Sequence, residues 1–179
     1  MGFILINLFF GFIIIVSLII LWFVWPPDSP WSPWWVVRIR QIREGLRLAK
    51  VTQDDVVYDL GSGDGRVPII AAREFGASGV GIEIDYIRHL TAWLKVKKNK
   101  VSDRVILKRG NFFKSNISDA TVVFVYLVPR VLEKIKPKLL AELKKGTRIL
   151  SYKYKIKVEP GIKLVKKNLE NEMYLYKIR

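Results

Sequence analysis

The sequence predicts an open α/β sheet of seven strands, mostly parallel and covered by helices on both faces. An antiparallel hairpin closes it at the C-terminal end, and one apolar helix precedes it. Three observations carry this prediction. Short apolar runs alternate with longer helical patterns from residue 56 to residue 153, the signature of a parallel sheet with helices on both sides. The first run, Val56-Val57-Tyr58-Asp59-Leu60, passes straight into Gly61-Ser62-Gly63-Asp64-Gly65-Arg66, a strand–turn–helix junction suited to nucleotide-like ligands. The last two runs, 163–167 and 173–178, flank a turn near Glu170-Asn171 and read as a hairpin.

Taken in order, the chain divides at residues 27/28 and 50/51. Residues 1–27 carry no charged side chain, and from Phe3 to Trp25 the chain is almost wholly apolar. At about 1.5 Å per residue such a run spans the ~30 Å hydrocarbon core of a bilayer. A signal peptide calls for a basic start, a shorter apolar run and a small-residue cleavage site, none of which is visible. A buried helix of this kind calls for a larger core than 179 residues provide. Residues 3–25 therefore read as a transmembrane anchor. In residues 28–50, a Pro/Trp-rich linker leads into a basic amphipathic helix. Trp22, Trp25, Trp31, Trp34 and Trp35 cluster where the anchor ends, which suits a membrane interface. Pro26, Pro27, Pro30 and Pro33 break the helix and stiffen the link.

Arg38, Arg40, Arg43, Arg47 and Lys50 follow, opposed by Glu44 alone. The positive-inside rule then places the folded domain in the cytoplasm, on a single-pass protein of the cell membrane. Basic residues there gain ~1 kcal/mol each from an anionic leaflet. Val36, Val37, Ile39, Ile42, Leu46 and Ala49 recur at helical spacing, so this helix packs on the sheet, lies on the membrane, or does both. Within the α/β domain, 51–179, strands are expected near 56–60, 78–84, 104–109, 120–127 and 147–153. Helices are expected near 36–49, 66–75, 86–99 and 130–144.

The glycine turn is not the dinucleotide fingerprint G-x-G-x-x-G, whose third glycine position holds Arg66, and the phosphate-binding G-x-x-x-x-G-K-[ST] is absent. What stands is D-x-G-x-G-x-G: Asp59, Gly61, Gly63 and Gly65, with Asp64 inside the turn. An acid beside bare backbone suits S-adenosylmethionine, which has no phosphate but carries an ammonium, a sulfonium and a ribose. An ordinary tight turn would explain the glycines alone, but two further signals follow in the right order. Glu83 ends the second apolar run, where an acid accepts hydrogen bonds from ribose hydroxyls, with Asp85 in reserve. At the next strand exit, Asn111 suits the adenine amino group and Phe112 its ring, although Phe112 and Phe113 suit a core equally.

With these residues the chain resembles the class I methyltransferases, and more narrowly the archaeal protein-lysine methyltransferases. The mitochondrial ATP-synthase c-subunit lysine methyltransferases are more distant relatives. The similarity runs from about Pro30 to about Tyr154. It is carried by Val51-Thr52-Gln53-Asp54-Asp55-Val56-Val57-Tyr58-Asp59-Leu60-Gly61, Gly110-Asn111-Phe112-Phe113, Ile117-Ser118-Asp119-Ala120-Thr121-Val122-Val123 and Lys136-Pro137-Lys138-Leu139. Pro30-Trp31-Ser32-Pro33 is similar to the family's proline-aromatic-x-proline motif. The resemblance implies a Rossmann-like class I methyltransferase fold, S-adenosylmethionine as donor and protein lysine as acceptor.

Ligands of such sheets sit beyond the carboxyl ends of the strands, so the acceptor is expected past the fourth strand. Tyr126 is the candidate for contacting the acceptor nitrogen, with Pro129 shaping the pocket; the alternative is a tyrosine buried in the core. The [DN]-P-P-[YFW] pattern of nucleobase-amine and glutamine methyltransferases is absent here. Trp31, with Trp34, is a candidate lid over the acceptor channel, because aromatic faces attract ammonium groups. His89, the single histidine, falls in the second helix of the domain, facing away from the expected acceptor.

The net charge of +15 lies wholly outside the anchor. It suits an anionic lipid surface. Binding of nucleic acid is the sharper alternative, but no RNA-recognition module is visible and the tether argues against it. Without cysteine there is no disulfide, thiolate metal site or cysteine catalysis, and no metal is expected. The expected activity is a membrane-anchored methyltransferase acting on lysine of a protein, including membrane proteins. The alternatives are an enzyme methylating a lipid or isoprenoid-linked small molecule, a non-catalytic cofactor-binding scaffold, and a ribosomal RNA enzyme.

Overall fold

A computed structural model describes residues 2–24 and 35–179, without the side chains of 22–24. Trp31, Trp34 and the proline run lie outside the described residues, and so does the expectation attached to them. Two compact units divide at Trp35/Val36. The first contains α1 (Gly2–Val24), which is apolar around its whole circumference, with its large side chains exposed. By length and composition it can cross a membrane, a test that a signal sequence also passes.

The second unit begins at Val36 and takes in the basic helix as part of the folded domain. Its elements are α2 (Ile39–Leu48), β1 (Val56–Leu60), α3 (Arg66–Phe75), β2 (Ser78–Glu83), α4 (Tyr86–Lys98), β3 (Val105–Arg109), β4 (Val122–Val125), α5 (Pro129–Glu142), β5 (Arg148–Tyr152), β6 (Ile162–Asn168) and β7 (Met173–Ile178). The sheet order is β3-β2-β1-β4-β5-β7-β6. Strands β1 to β5 are parallel, and β7 runs antiparallel to β5 and β6. From β1 the chain therefore builds outward in both directions, which opens a crevice at the carboxyl ends of β1 and β4.

Alternation along the strands feeds two cores. Tyr58, Leu60, Val123 and Val125 pack with Leu132, Ile135 and Leu139 of α5 on one face. Val57, Phe124 and Leu150 pack with Ile42 and Leu46 of α2 and with Val67, Ile70 and Ala71 of α3 on the other. Thus α2 packs on the sheet. Its Gly45 comes so close that a Cβ would stand 3.1 Å from the Met173 side chain. β4 is shorter than the apolar run 120–127. Thr121 Oγ1 accepts the Val56 N–H at 2.9 Å and donates to Asp55 at 2.7 Å, while Tyr126 and the residues after it leave the sheet to reach Pro129 at the start of α5. Asp55 also accepts the Thr52 N–H at 2.8 Å and pairs with Arg148, which donates to Ala49 O at 2.6 Å. This network fastens the amino ends of β1, β4 and β5.

Candidate active site

At the opposite end β1 and β4 stop level with one another, and β5 runs one residue further. Leu60 stands opposite Val125, and Val125 opposite Ser151, so Gly61 and Tyr126 leave the sheet beside Tyr152, the last residue of β5, which still pairs with Met173 of β7. Gly61 and Gly65 have φ of 88° and 75°, values that residues with a Cβ rarely adopt. At Gly61 a Cβ would meet only Leu127 and Phe112, 3.9 and 4.0 Å away, so bare backbone keeps open the space that Phe112 borders. At Gly65 it would come within 2.9 Å of Ala92 Cβ, so this glycine lets the start of α3 press on α4.

Three carboxylates surround the turn, and they are satisfied unequally. Glu83 accepts the Gly63 N–H at 2.7 Å and the Asp85 N–H at 2.9 Å; burial nevertheless holds its pKa above the usual carboxylate range. Asp64 accepts from Arg66 at 2.8 and 2.5 Å and pairs with Lys95. Burial would raise Asp64, but those two cations outweigh it and lower its pKa. Asp59 is buried, and among the described residues no hydrogen bond reaches its carboxylate. Burial first, then the charges of Glu83 and Asp64, push it well above the usual range, against Arg66. Ser62 Oγ is likewise buried without a partner. A buried, unpaired carboxylate with like-charged neighbours is stabilised by an incoming cation. That fits the ammonium end of S-adenosylmethionine. Arg66 also donates to Val37 O at 2.8 Å, tying the turn to the approach to α2.

The remaining expected contacts lie along the same edge. Each Glu83 oxygen accepts one backbone N–H and keeps a lone pair for a further donor. Asp85 caps α4 by accepting the Arg88 N–H at 2.8 Å, so it serves the helix. Asn111 Oδ1 accepts the Phe113 N–H at 2.9 Å, which fixes the strand exit, and the Phe112 and Phe113 rings lie 4.7 Å apart. His89 is half-buried on α4, its Nδ1 without a partner among the described residues.

On the other side of Gly61 stand three tyrosines. Tyr126 meets Tyr152 edge-on at 4.7 Å and stacks on Tyr154 at 6.3 Å. Lys153 between the latter two has φ of 68°, and the Tyr154 N–H donates to Tyr152 O at 2.8 Å, a γ-turn of the rare, strained positive-φ form. Lys153 N–H donates to Glu172 O at 2.7 Å, and Ser151 Oγ to Tyr154 O at 2.5 Å, which holds that turn. Burial raises the phenols of Tyr126 and Tyr152; Tyr152 and Tyr154 add to the rise at Tyr126, and Glu172 adds to both. Sequence reasoning singled out Tyr126 but missed Tyr152 and Tyr154, as well as the clamp of Arg66 and Lys95 on Asp64. The signal for the two tyrosines was Ser151-Tyr152-Lys153-Tyr154 at the exit of β5, to which the carboxyl-end rule applies as it does to β4.

Residues 59–161, more than half of the chain, match the ANTKMT methyltransferase domain. The chain belongs to that family. It is 42% identical over 156 residues to a protein-lysine N-methyltransferase of Saccharolobus islandicus (strain REY15A), covering 85% of this chain and 95% of the relative. An adenine nucleotide translocase lysine N-methyltransferase of Mus musculus is 33% identical over 120 residues, covering 64% of this chain and 50% of the mouse protein. Among solved structures, an RNA methyltransferase from Salinibacter ruber in complex with S-adenosyl-L-homocysteine matches with a TM-score of 0.74 at 40% identity. That match covers 80% of this chain and 94% of the other. This member of the ANTKMT domain family is a methyltransferase with S-adenosylmethionine as cofactor, on the Rossmann-like fold that the resemblance implied.

Proposed function

We propose that the protein is a membrane-anchored protein-lysine N-methyltransferase whose acceptor enters between Tyr126, Tyr152 and Tyr154. The observation that carries this reading is the tyrosine trio itself, level with the glycine turn and built on a strained backbone. The archaeal lysine methyltransferase, similar over 95% of its own length, supports the substrate class. α1 supports the anchor, and the arginines after it support a cytoplasmic domain.

When bound, S-adenosylmethionine supplies an electrophilic methyl group on a sulfonium that already carries its leaving group. The protein's part is alignment and desolvation. Asp59 holds the cationic end of the cofactor, Glu83 its ribose, and Asn111 and Phe112 its adenine, with Gly61, Gly63 and Gly65 giving close approach. Asp64, clamped by Arg66 and Lys95, keeps the turn in shape. A lysine arrives as an ammonium with a pKa of ~10.4, which the faces of three tyrosines attract. Removal from water lowers that pKa, so the proton leaves to solvent before transfer. The raised phenols of Tyr126 and Tyr152 stay protonated at neutral pH and offer ring faces and O–H donors, not bases.

RNA is the second reading, favoured by the name of the Salinibacter relative and by the charge of +15. Tritiated S-adenosylmethionine incubated with native membranes and the full chain separates the readings. Label in a protein band, mapped to lysine and lost with Asp59→Ala, is the expected outcome. Nuclease-sensitive label would support RNA instead, and label in the lipid extract would support a lipid acceptor.

A further inference from the structure

Helix α4 is apolar on the wrong side. Its inward positions are Arg88, Ala92 and Val96. Its outward positions are Tyr86, Ile87, Leu90, Trp93 and Leu94, exposed by 55, 46, 41, 48 and 55%. At 100° per residue these five form one continuous stripe with Lys97 inside it and Lys98 at its edge. A helix apolar on both faces is normally covered on both, and an exposed apolar patch with a polar rim marks a contact surface.

The rim identifies what covers it. Lys97 Nζ stands 5.7 Å above the Trp93 ring, and the Arg109 guanidinium 5.3 Å from the Tyr86 ring. Lys98 and Lys100 are exposed at the C-terminal end of the helix. The nearby acids do not balance this charge: Asp85 is buried as the helix cap, Asp64 is engaged by Arg66 and Lys95, and Asp103 is paired with Arg104. An apolar stripe carrying a tryptophan and a tyrosine, fringed by long cations whose stems cover apolar surface, has the composition of an interfacial helix. The same chain carries an apolar helix of membrane-spanning length.

We infer that α4 is a second membrane contact, which lays its outer face into the headgroup region of an anionic bilayer. The inference goes beyond the methyltransferase reading and does not depend on it. It also has a consequence for the site. α4 supplies the Asp85 cap, the Ala92 floor under Gly65 and the Lys95 clamp on Asp64. Docking α4 would hold the cofactor turn close to the membrane surface.

The chain has no cysteine, so a single introduced thiol is a clean probe site. Leu94→Cys in the full chain, labelled with an environment-sensitive NBD dye, would be reconstituted in vesicles of phosphatidylcholine with or without phosphatidylglycerol. Val165→Cys, exposed on β6, serves as the control, and Ile14→Cys reports separately on insertion of α1. The expected result is a blue shift at position 94, absent at 165, with quenching by acyl-chain nitroxide lipids. It should be stronger with the anionic lipid and weakened by added Leu90→Glu. No shift at 94 in either membrane, with the probe at 14 inserted, would overturn the inference. A shift without nitroxide quenching would also overturn it, since protein and not lipid would then cover the stripe.

Discussion

The two ends of the sheet are built to opposite rules. At the amino ends of β1, β4 and β5, Asp55 is fully provided for. Thr52, Thr121 and Arg148 surround it, and although burial works to raise its pKa, those partners bring it below the usual value. At the carboxyl ends, Asp59 is equally buried but has no hydrogen-bond partner among the described residues, and its pKa is driven well above the usual range. Ser62 Oγ has no partner either, and Lys153 holds an unfavourable φ. One end satisfies its polar groups and so stabilises the fold; the other leaves them to be satisfied by a ligand. Identical residue types, an aspartate at each end of one strand, thus do different jobs because of what surrounds them.

The largest expected effect breaks the site end. Asp59→Asn should weaken cofactor binding by ~100-fold, in the range for removing one partner of a buried charged contact. It should leave thermal stability unchanged or raised, since an unpaired buried carboxylate disfavours the folded state. Calorimetric titration and a melting curve read both. Asp55→Ala should do the reverse. Breaking a buried ion pair costs roughly 3–5 kcal/mol, and the part-exposed Arg148 places this one near the lower limit. Denaturant unfolding should show the loss while cofactor affinity holds within about twofold.

A smaller effect divides the site itself. Tyr154→Ala should lower kcat/KM for a lysine peptide about tenfold, in line with a desolvated cation–ring contact. The cofactor Kd should not change. The smallest is the acid limb of stability. Because the folded pKa of Asp55 is depressed, its contribution is present above its unfolded value and lost as pH falls through its folded value. Asp55→Asn should flatten that limb in pH-dependent unfolding.

Much of the fold was legible because strands buried on both faces read as unbroken apolar runs, and the glycines punctuate them. That Asp59 and Glu83 stand at the carboxyl ends of β1 and β2 was legible for the same reason: each falls in the last two residues of its run. What local pattern could not supply was proximity. That Lys95 reaches back to Asp64 depends on how α3 packs on α4. That Tyr152 stands beside Tyr126 depends on β5 pairing with β4 at one register. The γ-turn at Lys153 was invisible because no sequence rule puts a lysine at positive φ. Asp85, held in reserve for the ribose, caps a helix instead, a choice made by the exact start of α4.

Titration calorimetry of the full chain with S-adenosylmethionine at several pH values tests most directly whether Asp59 takes up the cationic end of the cofactor. Burial and like-charged neighbours raise the Asp59 pKa, and a cationic ligand favours its ionised form, so affinity should rise with pH through the ionisation of Asp59, with a proton released over that range, and then level off. Proton release, measured in buffers of different ionisation enthalpy, should vanish in Asp59→Asn. Affinity independent of pH, with no proton released by the unaltered chain, would contradict the account.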